Sequence, residues 1–251
     1  MSQADSFYTL VTGASSGIGR AIAVRLSQSR KIILHGRNKT KLEETRRLCH
    51  GEGHVIWTCD LAQVENLQAD FESFVVQSGC RIESFVHCAG MVYLTAIKTI
   101  DLPSYRRILD TNSTSAILLL GSLMKRRIAG ASMKSVVFVS SIAATQATRG
   151  KSLYGASKGI LNSFVRASAV ELAPNVRINS VCPAAVHTEM ADDVFHDPEA
   201  VAAMNRRHPL GTGKPDDVAG VVAFLLSEDA RWITGSQVMV DGGASCDLTF
   251  K

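Results

Sequence analysis

In the stretch Tyr154-Gly155-Ala156-Ser157-Lys158-Gly159 a phenol and an ammonium stand four residues apart. That spacing puts both on one face of a helix. A phenol with an ordinary pKa of about 10 is a poor proton-transfer group at neutral pH. A neighbouring ammonium favours the phenolate and lowers that value. A phenol tuned in this way can exchange a proton with an alcohol or carbonyl oxygen. The small residues Gly155, Ala156, Ser157 and Gly159 would let a cofactor or a neighbouring backbone come close. Taken alone, a tyrosine and a lysine at this spacing arise by chance in many helices, so the rest of the chain has to decide.

A second stretch, Thr12-Gly13-Ala14-Ser15-Ser16-Gly17-Ile18-Gly19, lies between a strand-like and a helix-like segment. Glycines at such a place permit a tight turn and let the backbone approach a pyrophosphate. The helix that follows offers unpaired N–H groups and the positive end of its dipole. Gly13, Gly17 and Gly19 have the spacing GxxxGxG and not the commoner GxGxxG. The second strand ends in His35-Gly36-Arg37-Asn38. An NAD site usually places a carboxylate there for the ribose hydroxyls. None is present, and the Arg37 guanidinium can pair with a 2′-phosphate through two parallel hydrogen bonds. NADP(H) is therefore expected over NAD(H), with Arg37 and Asn38 at its adenosine end. Asp60 and Leu61 follow the third strand at a position that fits contact with an adenine. Asp60 would serve equally as a helix N-cap.

Alternating segments must position these groups. Strands are expected at 8–11, 31–35, 55–59, 82–86, 136–139, 178–181 and 238–240. Helices are expected at 18–28, from 40 to about 49, and around Leu67, Phe71, Phe74 and Val75. Near-continuous apolar strands separated by helices imply a parallel sheet covered on both faces. Right-handed crossovers then give an α/β, doubly wound fold. No repeat, low-complexity tract or linker divides the 251 residues, so one domain spanning 1–251 is expected. The segment from about 187 to 214, with Pro198, Pro209 and two glycines, interrupts the alternation and is expected to form a substrate lid.

The bulk composition excludes other classes. Apolar residues make up 46% and charged residues 20%, as in soluble proteins, and a formal charge of +4 does not argue for nucleic acid. The apolar run 116–120 is far too short to span a bilayer. The six cysteines, at 49, 59, 80, 88, 182 and 246, form no CxxC pair and no zinc spacing. No metal is expected. With no secretory leader read at the start, reduced thiols and a cytoplasmic location are the expectation.

The ordered set Thr12-Gly13-xxx-Gly17-x-Gly19, Asp60-Leu61, Ala89-Gly90, Asn112, Ser140-Ser141, Tyr154-xxx-Lys158, Pro183 with Thr188, and Asp241-Gly242-Gly243 resembles the short-chain dehydrogenase/reductase family over nearly the whole chain. Within it the chain looks most like the 3-oxoacyl-acyl-carrier-protein reductase-like enzymes. The resemblance implies a Rossmann-type fold, a nicotinamide cofactor and a homotetramer. It makes Tyr154 the acid in carbonyl reduction and the base in alcohol oxidation. Lys158 would lower the tyrosine pKa and bond the nicotinamide ribose. Ser141 would hold the substrate oxygen, with Ser140 turned to the other side of the strand end. Asn112 would hold a water that relays protons to Lys158. Ala89 and Gly90 would adjoin the cofactor, and Pro183, Val186 and Thr188 would line the nicotinamide.

The implied activity is NADPH-dependent reduction of a keto group, in a 3-oxoacyl thioester or a similar ketone, with Tyr154 as proton donor. The alternatives are a secondary-alcohol dehydrogenase acting oxidatively and a catalytically silent nucleotide-binding regulator. His87-Cys88 stands where the family usually has Asn-Asn, and Pro183-Ala184 where it has Pro-Gly. His87 is expected to be a buried structural residue, Cys88 a small packed one, and the loop after Pro183 to differ. Lys125-Arg126-Arg127 is a candidate basic patch near the site mouth for an acidic carrier protein. Ile142, Val186, Met190, Val194 and Phe195 are expected to form an apolar substrate wall. The helix bearing Tyr154 and the C-terminal strand are expected at subunit interfaces.

Overall fold

A computed structural model describes residues 7–189, 196 and 198–246. Seven strands form one sheet: β1 (Phe7–Thr12), β2 (Lys31–Gly36), β3 (Val55–Thr58), β4 (Arg81–His87), β5 (Ser135–Val139), β6 (Arg177–Pro183) and β7 (Gln237–Val240). Their order is β3-β2-β1-β4-β5-β6-β7, and every pairing is parallel. Each expected strand is present, its ends displaced by no more than two residues.

The helices are α1 (Gly17–Leu26), α2 (Lys39–Leu48), α3 (Val64–Ser78), α4 (Leu102–Leu109), α5 (Ser115–Met124), α6 (Ser152–Leu172), α7 (Pro198–Arg207) and α8 (Pro215–Leu226). Local chemistry sets their ends. Asn38 caps α2 by accepting Lys41 N–H, and Asp101 with Ser104 forms a capping box at α4. Gly79, left-handed at φ 65°, ends α3. The last carbonyls of α8 are taken by two guanidinium groups: Arg177 donates to Leu225 O and Ser227 O, and Arg30 to Leu226 O.

Pleat alternation sorts the strand residues into two cores. Leu10, Phe85, Val136, Phe138 and Ile178 face α3, α5 and α6. Val11, Leu34, Val86, Val137 and Val181 face α1, α2 and α8. Burial on both faces explains why the strands read as unbroken apolar runs. The chain works outward from β1 to β3, then returns to β4 on the other side of β1. The loops after β1 and β4 therefore part at the C-terminal edge and leave the crevice in which such sheets bind ligands.

Phe138 is fully buried, with the rings of Phe85, His87 and Phe164 centred 5.9, 6.0 and 6.4 Å from its own. Phe138→Ala is expected to destabilise the fold by about 3–5 kcal/mol. Urea unfolding followed by tryptophan fluorescence checks this.

Candidate active site

The turn after β1 is built from close backbone approaches. Gly13 has φ 70°, and a β-carbon there would come within 2.8 Å of Ala89 Cα. A β-carbon on Gly19 would lie 2.1 Å from Gly13 O. Side chains at either place would unfold the turn or push the β4 loop away. Gly17 instead faces Thr188, whose Cβ would be 3.2 Å from an added β-carbon. Thr188, from the loop after β6, thus sits directly against the turn.

The N-cap of α1, Ser16, makes no side-chain cap bond. Its first-turn N–H groups remain available for an anion. These backbone donors, together with side-chain-free glycine positions beside them, fit the pyrophosphate of a dinucleotide.

At the adenosine end Arg37 and Asn38 are exposed, and Asn38 is engaged as the cap of α2. Asp60 is not a helix N-cap, since α3 begins at Val64 with Gln63 at its cap. It makes a local turn instead, accepting Ala62 N–H at 3.2 Å. Leu61 is buried in the core, so any ligand would meet its backbone.

Four elements bring the expected reactive residues together. Ser141 follows β5 and starts a short turn, where its Oγ accepts Ala143 N–H at 3.1 Å and donates to Pro183 O at 3.4 Å. Ser140 points the other way, its Oγ donating to Lys158 O at 3.1 Å. Tyr154 and Lys158 lie in the first turns of α6, with Lys158 Nζ 6.0 Å from the phenol ring centre. Lys158 is 4% exposed and donates to Val139 O at 2.9 Å. Burial lowers its pKa to about 8.

For Tyr154 the outcome departs from expectation. Burial raises its pKa, opposed in part by the Ser141 hydroxyl. Lys158, with Nζ 6.0 Å from the ring centre and donating to Val139 O, is not among the groups that shift it.

Asn112 sits in a single wide turn, Asp110–Thr114, between α4 and α5. Its side chain clamps Met91, accepting its N–H at 2.8 Å and donating to its O at 2.9 Å, and it also donates to Ser157 Oγ at 3.0 Å. A β-carbon on Gly90 would lie 3.3 Å from both Asn112 Oδ1 and Lys158 Nζ, so glycine there lets the two polar groups converge. Gly155 serves backbone packing and not a cofactor. Its added β-carbon would be 2.6 Å from Ala143 O, which brings the Ser141 turn onto α6.

His87 takes a structural part. Thr12 Oγ1 accepts N–H bonds from Cys88 and Ala89, both at 3.1 Å, and lies 3.1 Å from His87 Nδ1. With both lone pairs used, the threonine hydroxyl donates to Nδ1, which fixes His87 as the neutral Nε2–H tautomer. A small network thereby holds the β4 loop against the β1 turn. Ala184 needs no glycine, since among the described residues positive φ occurs only at glycine, and its N–H donates to Val240 O. Val186 is buried and pairs with Gly213.

Two further expectations need correction or fall outside the described residues. The run 125–127 precedes β5, whereas Ser141 follows it. It therefore lies at the opposite edge of the sheet, roughly 17 Å away along a five-residue strand. Lys125 and Arg127 there both pair with Glu72 on α3. Met190, Val194 and Phe195 lie outside the described residues, while α7 forms within the expected lid. Sequence reasoning missed Thr12, Arg20, Thr45, Met91 and Ser157 as supports of the site. A threonine or arginine near a glycine-rich turn carries no pattern that marks such contacts.

Burial lowers the pKa of His35 to about 4 and that of His87 well below its usual value. The folded values lie below the unfolded one, so stability is complete above about pH 6.5 and is lost as pH falls towards 4. For His35 the loss amounts to about 3 kcal/mol. Denaturant unfolding between pH 7 and 4 is expected to show this slope, and His87→Asn to flatten part of it.

Among the described residues no His, Cys, Asp and Glu side chains cluster as a metal site, and no helix is long and apolar enough to cross a membrane. The family described as Enoyl-(Acyl carrier protein) reductase matches residues 13–245. Carbonyl reductase family member 4 of Danio rerio is 35% identical, covering 93% of this chain and 96% of its own. Dehydrogenase/reductase SDR family member 4 of Homo sapiens is 32% identical, covering 95% of this chain and 87% of its own. An actinorhodin polyketide ketoreductase variant solved with NADPH superposes with a TM-score of 0.87 at 28% identity, covering 97% of this chain and 99% of that one.

Proposed function

This chain belongs to the short-chain dehydrogenase/reductase family of oxidoreductases, and from that premise we propose that it is an NADPH-dependent reductase of a keto group. A 3-oxoacyl thioester or a similar ketone is the substrate class. The observation that carries the reading is the convergence of Ser141, Tyr154, Lys158 and Asn112 around the crevice between β1 and β4.

The turn at Gly13, Ser15, Ser16, Gly17, Ile18 and Gly19 would hold the pyrophosphate, and Arg37 the 2′-phosphate. Ala89, Gly90, Pro183, Val186 and Thr188 would flank the rest. A reduced nicotinamide held there supplies the hydride. Tyr154 carries its proton at neutral pH, as a phenol does whose ordinary pKa of about 10 is raised by burial. It can give that proton to the substrate oxygen in reduction and take one back in the reverse reaction. Ser141 positions the same oxygen beside the phenol. Lys158 is the buried ammonium beside the phenol that would bond the nicotinamide ribose. A silent regulator would have no need to bury an ammonium beside a phenol and a serine. The ketoreductase solved with NADPH and the carbonyl reductase relative are consistent with this reading.

The 187–214 segment acts as the substrate lid in this reading. A homotetramer is proposed as well, supported by exposed apolar side chains on α6 (Val170), α8 (Phe224), β7 (Met239) and at Trp232. A carrier-bound substrate draws no support from residues 125–127, which lie at the far edge and pair with Glu72.

NADPH consumption with a panel of ketones tests the activity, and Tyr154→Phe is expected to lower it by at least about a hundredfold. Activity retained in that variant would refute the assigned proton donor. Arg37→Asp is expected to cost about tenfold or more in kcat/KM with NADPH while sparing NADH. An unchanged coenzyme ratio would refute the 2′-phosphate contact.

A further inference from the structure

We propose that Arg20 and Thr45 are positioning residues that orient the phosphate-binding N–H groups and lock that turn to the helix that follows the 2′-phosphate contact. The inference rests on the cofactor reading above and goes beyond its contact residues, since neither side chain is placed on the ligand.

Three successive carbonyls of the turn, those of Ala14, Ser15 and Ser16, are hydrogen-bonded on the protein side. Gly13 O packs against Gly19. Ala14 O accepts from Thr45 Oγ1 at 2.9 Å, and Ser15 O accepts from Arg20 Nη2 at 2.6 Å. Ser16 O accepts from Arg20 N at 3.1 Å as α1 begins. Arg20 Nε also donates to Thr45 Oγ1 at 3.1 Å, and Glu44 Oε2 lies 3.4 Å from Nη2. Thr45 is fully buried, although it is polar and stands mid-helix in α2. Its single hydroxyl proton is shared with Lys41 O of its own helix, 3.1 Å away, and the shorter contact is the one to Ala14 O.

A peptide unit is planar and trans, so its C=O and the next N–H point in opposite directions. Ala14 O is held by Thr45 of α2 and Ser15 O by Arg20 of α1, whose guanidinium reaches Thr45, so the N–H groups of Ser15 and Ser16 point away from these two side chains. They join the uncapped first turn of α1 as donors to an anion. Without Thr45 and Arg20 these two peptides could rotate and present carbonyl oxygens to the phosphates. The first turn of α2 follows Arg37 and Asn38, so the same helix fixes both ends of the adenosine diphosphate portion.

The test measures NADPH affinity by fluorescence titration in the wild-type protein, Thr45→Val, Thr45→Ser and Arg20→Gln. Adenosine 2′-monophosphate, which has no pyrophosphate, is the control ligand. Thr45→Val and Arg20→Gln are each expected to weaken NADPH roughly tenfold. They should leave adenosine 2′-monophosphate within about twofold, and Thr45→Ser should restore NADPH binding. In turnover, KM for NADPH should rise far more than kcat falls. Unchanged NADPH affinity in folded Thr45→Val, or equal weakening of both ligands, would overturn the proposal. Failure of the wild-type protein itself to bind NADPH would instead sink the cofactor reading, and the clasp with it.

Discussion

The catalytic edge is organised around one buried ammonium group. Lys158 is almost withdrawn from water, and charge in such a place is costly unless its donors are used. One of them goes to Val139 O at the end of β5. Gly90 leaves the ammonium and Asn112 open to each other, which a larger residue would prevent. The end of β5, the loop after β4, the wide turn between α4 and α5, and the start of α6 all meet because each borders this group. Tyr154, one helical turn away, inherits its place from the same arrangement.

Close backbone approach is the second organising feature. Gly13 touches Ala89, Gly19 touches Gly13, and Gly155 touches Ala143. In each case a missing β-carbon lets two segments far apart in sequence, or the two ends of a turn, make van der Waals contact. Thr12 and His87 then hold the first of these contacts with hydrogen bonds, at the cost of keeping a histidine neutral in the core. The site thus draws its precision from main chain as much as from side chains.

The fold was largely legible in the sequence, because both faces of each strand are buried and the apolar runs follow directly from that. Tyr154, Lys158, Ser141 and the glycine turn were legible as well, since their spacing in the chain matches the spacing their elements require. Contacts between residues close in space but unremarkable in sequence were not. Thr45 reads as an ordinary helix residue until its hydroxyl is seen on Ala14 O. The run 125–127 reads as a surface patch of unknown placement, and only the direction of β5 puts it away from the crevice. Gly155 was expected to admit a cofactor or a neighbouring backbone, and only the structure shows that it is the Ala143 carbonyl that fills that space. Chain spacing gives the proximity of Tyr154 to Lys158 but not the depth of burial that raises the phenol's pKa.

Proton donation by a buried, neutral phenol, beside an ammonium of pKa about 8, is tested most directly by single-turnover ketone reduction with NADPH across pH 6 to 10. The expected rate is highest at neutral pH and falls by about tenfold per pH unit above the Lys158 ionisation at about 8, the phenol's own ionisation lying higher. A rate that climbs with pH, as for a group that must first lose its proton, would contradict the assignment, as would a profile with no ionisation at all.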